Sequence, residues 1–122
     1  MTPLLFLGVA VAGGVGAGAR YLVDIAVTRM LGARVPWGIL LVNITGAFAL
    51  GVVSAGLVGA TGVWVLGVGL LGGYTTFSSV AVSTVLLAEN RRALGATLYA
   101  VGTFIGSVAA SLGGLAVGML AG

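Results

Sequence analysis

Long apolar runs separated by short polar or charged stretches set the pattern of this chain. A helix needs about 20 residues to cross the hydrocarbon of a bilayer. Four blocks are long enough: residues 3–27, 36–58, 63–88 and 93–120. The separators are a basic stretch from Arg29 to Arg34, a short Gly/Ala/Thr turn from Gly59 to Gly62, and Glu89-Asn90-Arg91-Arg92. Pro36 suits the first turn of a helix, where its missing N–H is no loss. The pattern predicts an all-α membrane protein with four transmembrane helices in one domain spanning residues 1–122. In the first block, Ala17-Gly18-Ala19 is like a signal-peptide cleavage site. That block lacks a basic leader and its apolar run is too long, so a membrane span is expected.

One stretch breaks the pattern. Gly72-Gly73-Tyr74-Thr75-Thr76-Phe77-Ser78-Ser79 places a glycine pair and a cluster of hydroxyls inside the third apolar block. Lipid cannot satisfy an opened backbone, so non-helical chain at that depth is tolerated only where it is buried in protein or lines a cavity. The third helix is therefore expected to be broken mid-membrane for a functional reason.

Composition agrees with a lipid setting. The 122 residues are 60% hydrophobic and 6% charged, with mean hydropathy +1.27, against roughly 25% charged in soluble domains. Cysteine and histidine are absent, and Asp24 and Glu89 are the only acids. Without paired acids for proton transfer or a ligand cluster for a transition metal, an enzyme is not expected. The net charge of +3 comes from five arginines; so few charges give no reason to expect a nucleic-acid partner. Arg29, Arg34, Arg91 and Arg92 fall in the first and third connections, while the second connection and both termini carry no Lys or Arg. The positive-inside rule then places loops 28–35 and 89–92 in the cytoplasm and both termini outside.

The 23 glycines are mostly explained by close helix packing. Gly14/Gly18, Gly69/Gly73, Gly102/Gly106 and Gly114/Gly118 have the spacing that brings helices together. Four helices bury little against one another, so an oligomer is expected.

The polar residues within the spans are more selective. Arg20 lies inside the first block, with Asp24 at i+4 as a candidate ion partner. A role in function and snorkelling to the interface carry similar weight for Arg20. Asn43 shares a face of the second helix with Ala47 and Gly51. Its amide needs a partner, either another helix or a permeating ion. Tyr99, Thr103, Ser107 and Ser111 recur every four residues along one face of the fourth helix. Lone hydroxyls in such helices usually bond back to their own backbone. Four in register form a polar track whose uncharged donors suit a weakly held anion. Phe77 has two uses: core packing, which its chemistry alone favours as it does for Phe48 and Phe104, or an electropositive ring edge toward an anion.

Taken in order, Gly13-Gly14 with Gly16-Ala17 and Arg20-Tyr21, Pro36-Trp37-Gly38 leading to Val42-Asn43 and Gly46, and Gly72-Gly73-Tyr74-Thr75-Thr76-Phe77-Ser78 resemble the Fluc (CrcB) fluoride channels over nearly the whole chain. The resemblance implies an antiparallel dimer in the cell membrane, with two pores that pass fluoride and reject chloride. It implies a structural sodium ion held by the backbone carbonyls of Gly72 and Thr75. Asn43, Phe77, Ser78, Tyr99, Thr103 and Ser107 would line the fluoride pore, and Arg20 the vestibule. The family pattern places a second phenylalanine three residues after the first, where this chain has Val80. The one-sided arginines and Val80 fit a subunit paired with an oppositely oriented paralogue, so homodimer and heterodimer both stand open. The alternatives are a proton-coupled exporter like the small multidrug resistance proteins, disfavoured because no span carries a central carboxylate, and an inert assembly subunit. The latter would leave the break and the hydroxyl track unexplained.

Overall fold

The computed structural model describes residues 2–32, 35–57, 59–89 and 93–121, with the side chains of residues 57 and 78 left out. Among the described residues there is no strand. Among the same residues, four helical spans are long and apolar enough to cross a membrane: Pro3–Leu31, Trp37–Gly56, Ala60–Glu89 and Ala93–Ala121. The multi-pass, all-helical expectation holds.

Local chemistry sets the helix ends. Helix α1 (Pro3–Leu31) begins with Thr2, whose hydroxyl accepts the Leu5 N–H at 3.1 Å, and with proline in the first turn. Both features satisfy or remove donors that a helix start leaves orphaned. The helix ends at Gly32, whose φ of 85° is the left-handed conformation that glycine adopts without strain. Arg29, expected in the connecting loop, instead occupies the last turn of α1. A cation there complements the helix dipole, and no breaker precedes Gly32. Helix α2 (Trp37–Val52) continues into a π-helical turn, Val53–Leu57, that contains Gly56 at φ 88°.

The third span is the irregular one. A single turn, α3 (Ala60–Gly62), leads into a π-helical stretch, Val63–Leu71, and then α4 (Gly72–Tyr74). The turn expected over Gly59 to Gly62 is thus shorter, because Gly59 already accepts the Val63 N–H at 3.0 Å. Thr75 and Thr76 are non-helical, and α5 (Phe77–Glu89) completes the span. Helix α6 (Ala93–Ala121) is continuous. The expected break therefore falls at Thr75-Thr76, immediately after the glycine pair.

Helix α2 is the centre of the arrangement, packed between α1 and α6; α1 also packs along the π-helical stretch and α4, and α5 lies against α6. Glycines permit the close contacts. A β-carbon at Gly51 would collide with the Ser111 carbonyl, and one at Gly114 with the Phe48 carbonyl, so the backbones of α2 and α6 nearly touch. Gly69 and Gly73 play the same part against α1, facing Val9 and Gly13. Gly14, Gly18 and Gly102 meet nothing within 4 Å, so the spacing alone did not distinguish packed from open glycines.

The core is correspondingly small. Among the described residues Val42 is the only large side chain that is fully buried, while Leu4, Phe6, Leu98, Ile105 and Leu120 are exposed. In water such a surface would mark an aggregation hazard. In lipid it is the expected outer face, since the hydrocarbon is as apolar as the side chains.

Candidate ion pathway at the helix break

The break is held open by side chains that take the place of helical partners. In a continuing helix the Thr76 N–H would donate to the Gly72 carbonyl, four residues back. Here it donates to Asn43 Oδ1 at 2.8 Å, and Asn43 Nδ2 donates to the Thr76 carbonyl at 2.8 Å. An amide side chain carries a donor and an acceptor side by side, so it can match both backbone groups of one residue. Asn43 and Thr76 are both buried, each 8% exposed. Without this pairing, two peptide groups would be stranded in a low-dielectric interior.

A second diversion follows one turn later. The Ser79 N–H would donate to the Thr75 carbonyl in a regular helix. It donates instead to Thr76 Oγ1 at 3.2 Å, so Thr76 caps the start of α5. The two N–H groups that would have taken the carbonyls of Gly72 and Thr75 are thereby engaged elsewhere. These are the two carbonyls that the family resemblance assigns to sodium. Carbonyl oxygens released in this way are hard, neutral donors, chemistry that suits such a cation.

The break is also pinned from below. The Thr45 hydroxyl donates to the Leu41 carbonyl at 2.8 Å, which leaves its oxygen to accept from Tyr74 OH at 3.1 Å. Thr75 closes back on Leu71 through its N–H and its hydroxyl, both at 2.9 Å. Gly46 makes room beneath, where a β-carbon would strike Thr75 Cγ2.

A cavity of about 610 Å³ opens beside this arrangement, between α2, the break, α5 and α6. Asn43, Thr76, Phe77, Thr103, Phe104 and Ser107 line it, as does Val80. Four expected pore residues, Asn43, Phe77, Thr103 and Ser107, are thus brought to one space. Tyr99 is buried one turn before Thr103, toward the start of α6, and does not line it. Phe77 is 85% exposed and Phe104 70% exposed, both on the cavity wall. Within this chain the Phe77 ring is not packed in a core but stands at the cavity. Arg20 is half-buried on α1 and lines neither this cavity nor the smaller one near Asp24. The ion pair considered for Arg20 and Asp24 does not form. The side chain of Ser78 and the residues Arg34, Arg91 and Arg92 lie outside the described residues.

The hydroxyl track of α6 is less uniform than its spacing suggests. Thr103 Oγ1 donates to the Tyr99 carbonyl at 2.7 Å and Ser111 Oγ to the Val108 carbonyl at 2.9 Å. Their protons are committed to their own helix, leaving lone pairs. The hydroxyl of Ser107 bonds to none of the described residues and faces the cavity.

Sequence reasoning missed the cap by Thr76 and the Tyr74–Thr45 contact. The signal for the cap was present: a threonine three residues before Ser79, ahead of an apolar helix, is an N-terminal signature.

A four-span membrane protein with one span opened against a cavity, and with few titratable groups at the opening, has the build of an ion-conducting protein. The chain belongs to the CrcB family: residues 7–115 match the family model described as CrcB-like protein, Camphor Resistance (CrcB). It is 41% identical over 119 residues to the fluoride-specific ion channel FluC of Rhodospirillum centenum, covering 93% of this chain and 94% of that protein. It is also 41% identical over 127 residues to fluoride-specific ion channel FluC 1 of Leifsonia xyli, covering 96% of this chain and 92% of that protein. Fluoride-specific ion channel FluC 2 of Mycobacterium bovis is 37% identical over 112 residues, covering 92% and 89%.

Proposed function

We propose that the protein is a fluoride-selective passive channel that lets cytoplasmic fluoride leave the cell down its electrochemical gradient. The observation that carries this reading is the cavity at the break, where Asn43, Phe77 and Ser107 converge, in a chain whose relatives are named fluoride-specific channels. Fluoride is strongly hydrated, so a path must replace its water with donors. Asn43 spends one Nδ2 hydrogen on Thr76 and keeps the other for the cavity. Ser107 supplies a free hydroxyl. The edge of Phe77 supplies partial positive charge without the strong hold of a cation. Hydrogen fluoride enters neutral and loses its proton in a near-neutral cytoplasm; the membrane potential then drives the anion out.

A sodium ion between the carbonyls of Gly72 and Thr75 would place fixed positive charge beside an anion path. Asn43 and Thr76 are the residues that keep those carbonyls available.

The chain works with an antiparallel second subunit that closes the open side of the cavity, where Phe77 and Phe104 are bare. The cytoplasmic loops are 28–35 and 89–92, the termini lie outside, and the membrane is the plasma membrane. Four cytoplasmic arginines against none on the other side favour one insertion direction, and Val80 occupies a position facing the same cavity. Both favour an oppositely inserted paralogue as the partner.

Proteoliposomes loaded with potassium fluoride and potassium chloride, with valinomycin added, test these readings separately. The chain co-purified with an opposed paralogue should release fluoride and retain chloride. Robust fluoride release from the lone chain would keep the channel function and remove the heterodimer. Absence of fluoride release from both preparations would remove the function.

A further inference from the structure

Asp24 takes no part in the pathway described above. It lies on α1 seven residues before the end of the helix at Leu31, about 10 Å in by helical rise. Its carboxylate stands against the first turn of α2, where a β-carbon at Gly38 would collide with Asp24 Oδ1. Among the described residues no cationic side chain pairs with it. A carboxylate within a membrane span is costly unless positive charge or hydrogen-bond donors compensate it, and among the described residues no cation does so.

Two further observations converge on this carboxylate. A second cavity of about 300 Å³ is lined by Asp24, Ile39, Ser79, Val82 and Ser83, so two hydroxyls from consecutive turns of α5 share its wall. On the α6 side, Tyr99 is 6% exposed and its hydroxyl is sealed from solvent. That hydroxyl is within interaction range of Ser83 and Asp24, though Tyr99 does not itself line the cavity, and it has no hydrogen-bond partner among the described residues. A buried phenol left in this way needs a partner.

The donor chemistry selects the occupant. One carboxylate and three hydroxyls are hard oxygen ligands, which suit alkali and alkaline-earth cations and not transition metals. Among the described residues no cluster of three or more acidic, histidine or cysteine side chains exists, so a divalent ion would be left undercompensated. An anion would meet the carboxylate directly. We infer that Asp24, Ser79, Ser83 and the Tyr99 hydroxyl form a binding site for a monovalent alkali cation, distinct from the carbonyls of Gly72 and Thr75. A cation held by the Tyr99 oxygen turns the phenol proton away from it. The site thereby neutralises Asp24 and orients a donor at the head of the α6 track.

Thallium(I) is the probe. Crystals of the assembled full-length protein soaked in thallium(I) nitrate should give an anomalous peak bounded by Asp24 and Ser83, and Asp24→Asn should remove it. Absence of that peak in the wild type, or its survival in Asp24→Asn, overturns the proposal. A peak confined to the Gly72 and Thr75 carbonyls does the same. In solution, the unfolding temperature should rise when sodium chloride replaces choline chloride at constant ionic strength. Asp24→Asn should raise the sodium concentration giving half of that rise by about tenfold, equivalent to about 1.4 kcal/mol of binding. Ser83→Ala, which keeps the carboxylate, should shift it by about threefold and decides the matter if Asp24→Asn does not assemble. A sodium response unchanged in the variants overturns the proposal. None of these readouts depends on fluoride, so their failure leaves the channel reading untouched.

Discussion

The break in the third span and the hydroxyl track of α6 are made of similar residues and are used in opposite ways. At the break, side chains take bonds that belong to the helix: Asn43 captures the Thr76 N–H and the Thr76 hydroxyl captures the Ser79 N–H. In α6 the helix takes bonds from the side chains: Thr97, Thr103 and Ser111 all donate to carbonyls three or four residues back. The first arrangement opens the backbone and the second leaves it continuous from Ala93 to Ala121. Hydroxyls alone therefore do not break a membrane helix, because the preceding turn satisfies them. Opening it takes an amide from another helix and two glycines that let α1 approach.

The largest effect should follow from removing that amide. Asn43→Leu has similar volume but strands the Thr76 N–H and carbonyl. At about 1–3 kcal/mol for each buried unsatisfied group, stability should fall by about 2–6 kcal/mol, read by thermal unfolding of the reconstituted protein. If it unfolds like the wild type, Asn43 is not the clamp.

Within the track, the Ser107 hydroxyl, which has no partner among the described residues, should matter more than those bonded to their own helix. Ser107→Ala should slow fluoride efflux by about tenfold, the worth of one donor near 1.4 kcal/mol. A smaller change, in the other direction, is expected at the wall between the two regions. Val80 faces the cavity and packs against the small cluster of Leu87, Ala96 and Tyr99. Val80→Phe adds a second ring edge next to Phe77, and an aromatic contact of about 0.5–1.5 kcal/mol should raise efflux about threefold where the chain's own pore is rate-limiting. Thr103→Val should do least. It removes a hydroxyl whose proton is already spent on the Tyr99 carbonyl of its own helix, a bond that adds little to an otherwise intact helix. Efflux within about threefold of wild type is expected.

How far the molecule was legible in the sequence differs between the same two regions. The four spans followed from apolar block length, and the break from a glycine pair among hydroxyls. The helix ends at Leu31 and Ala60 were misplaced because Arg29 and Gly59 are compatible with loop and helix end alike. For the site, Asn43 and Phe77 could be picked out as exceptional residues. What Asn43 does could not, because its partner lies 33 residues away and no local pattern joins them. The period of four in α6 gave the right face but could not say which protons were spent. That depends on rotamers, as the contrast of Thr103 with Ser107 illustrates. The two uses open to Phe77 cannot be separated from its residue type, because they depend on whether its wall of the cavity is covered, and this chain alone leaves that wall open.

The most direct measurement is the initial rate of fluoride efflux from liposomes containing equal amounts of monodisperse wild type, Asn43→Leu and Thr103→Val, each reconstituted with the partner needed for flux. Efflux should be abolished in Asn43→Leu and persist within about threefold in Thr103→Val. Efflux that survives loss of the Asn43 amide but not of the Thr103 hydroxyl would contradict the assignment of the pathway to the clamped break.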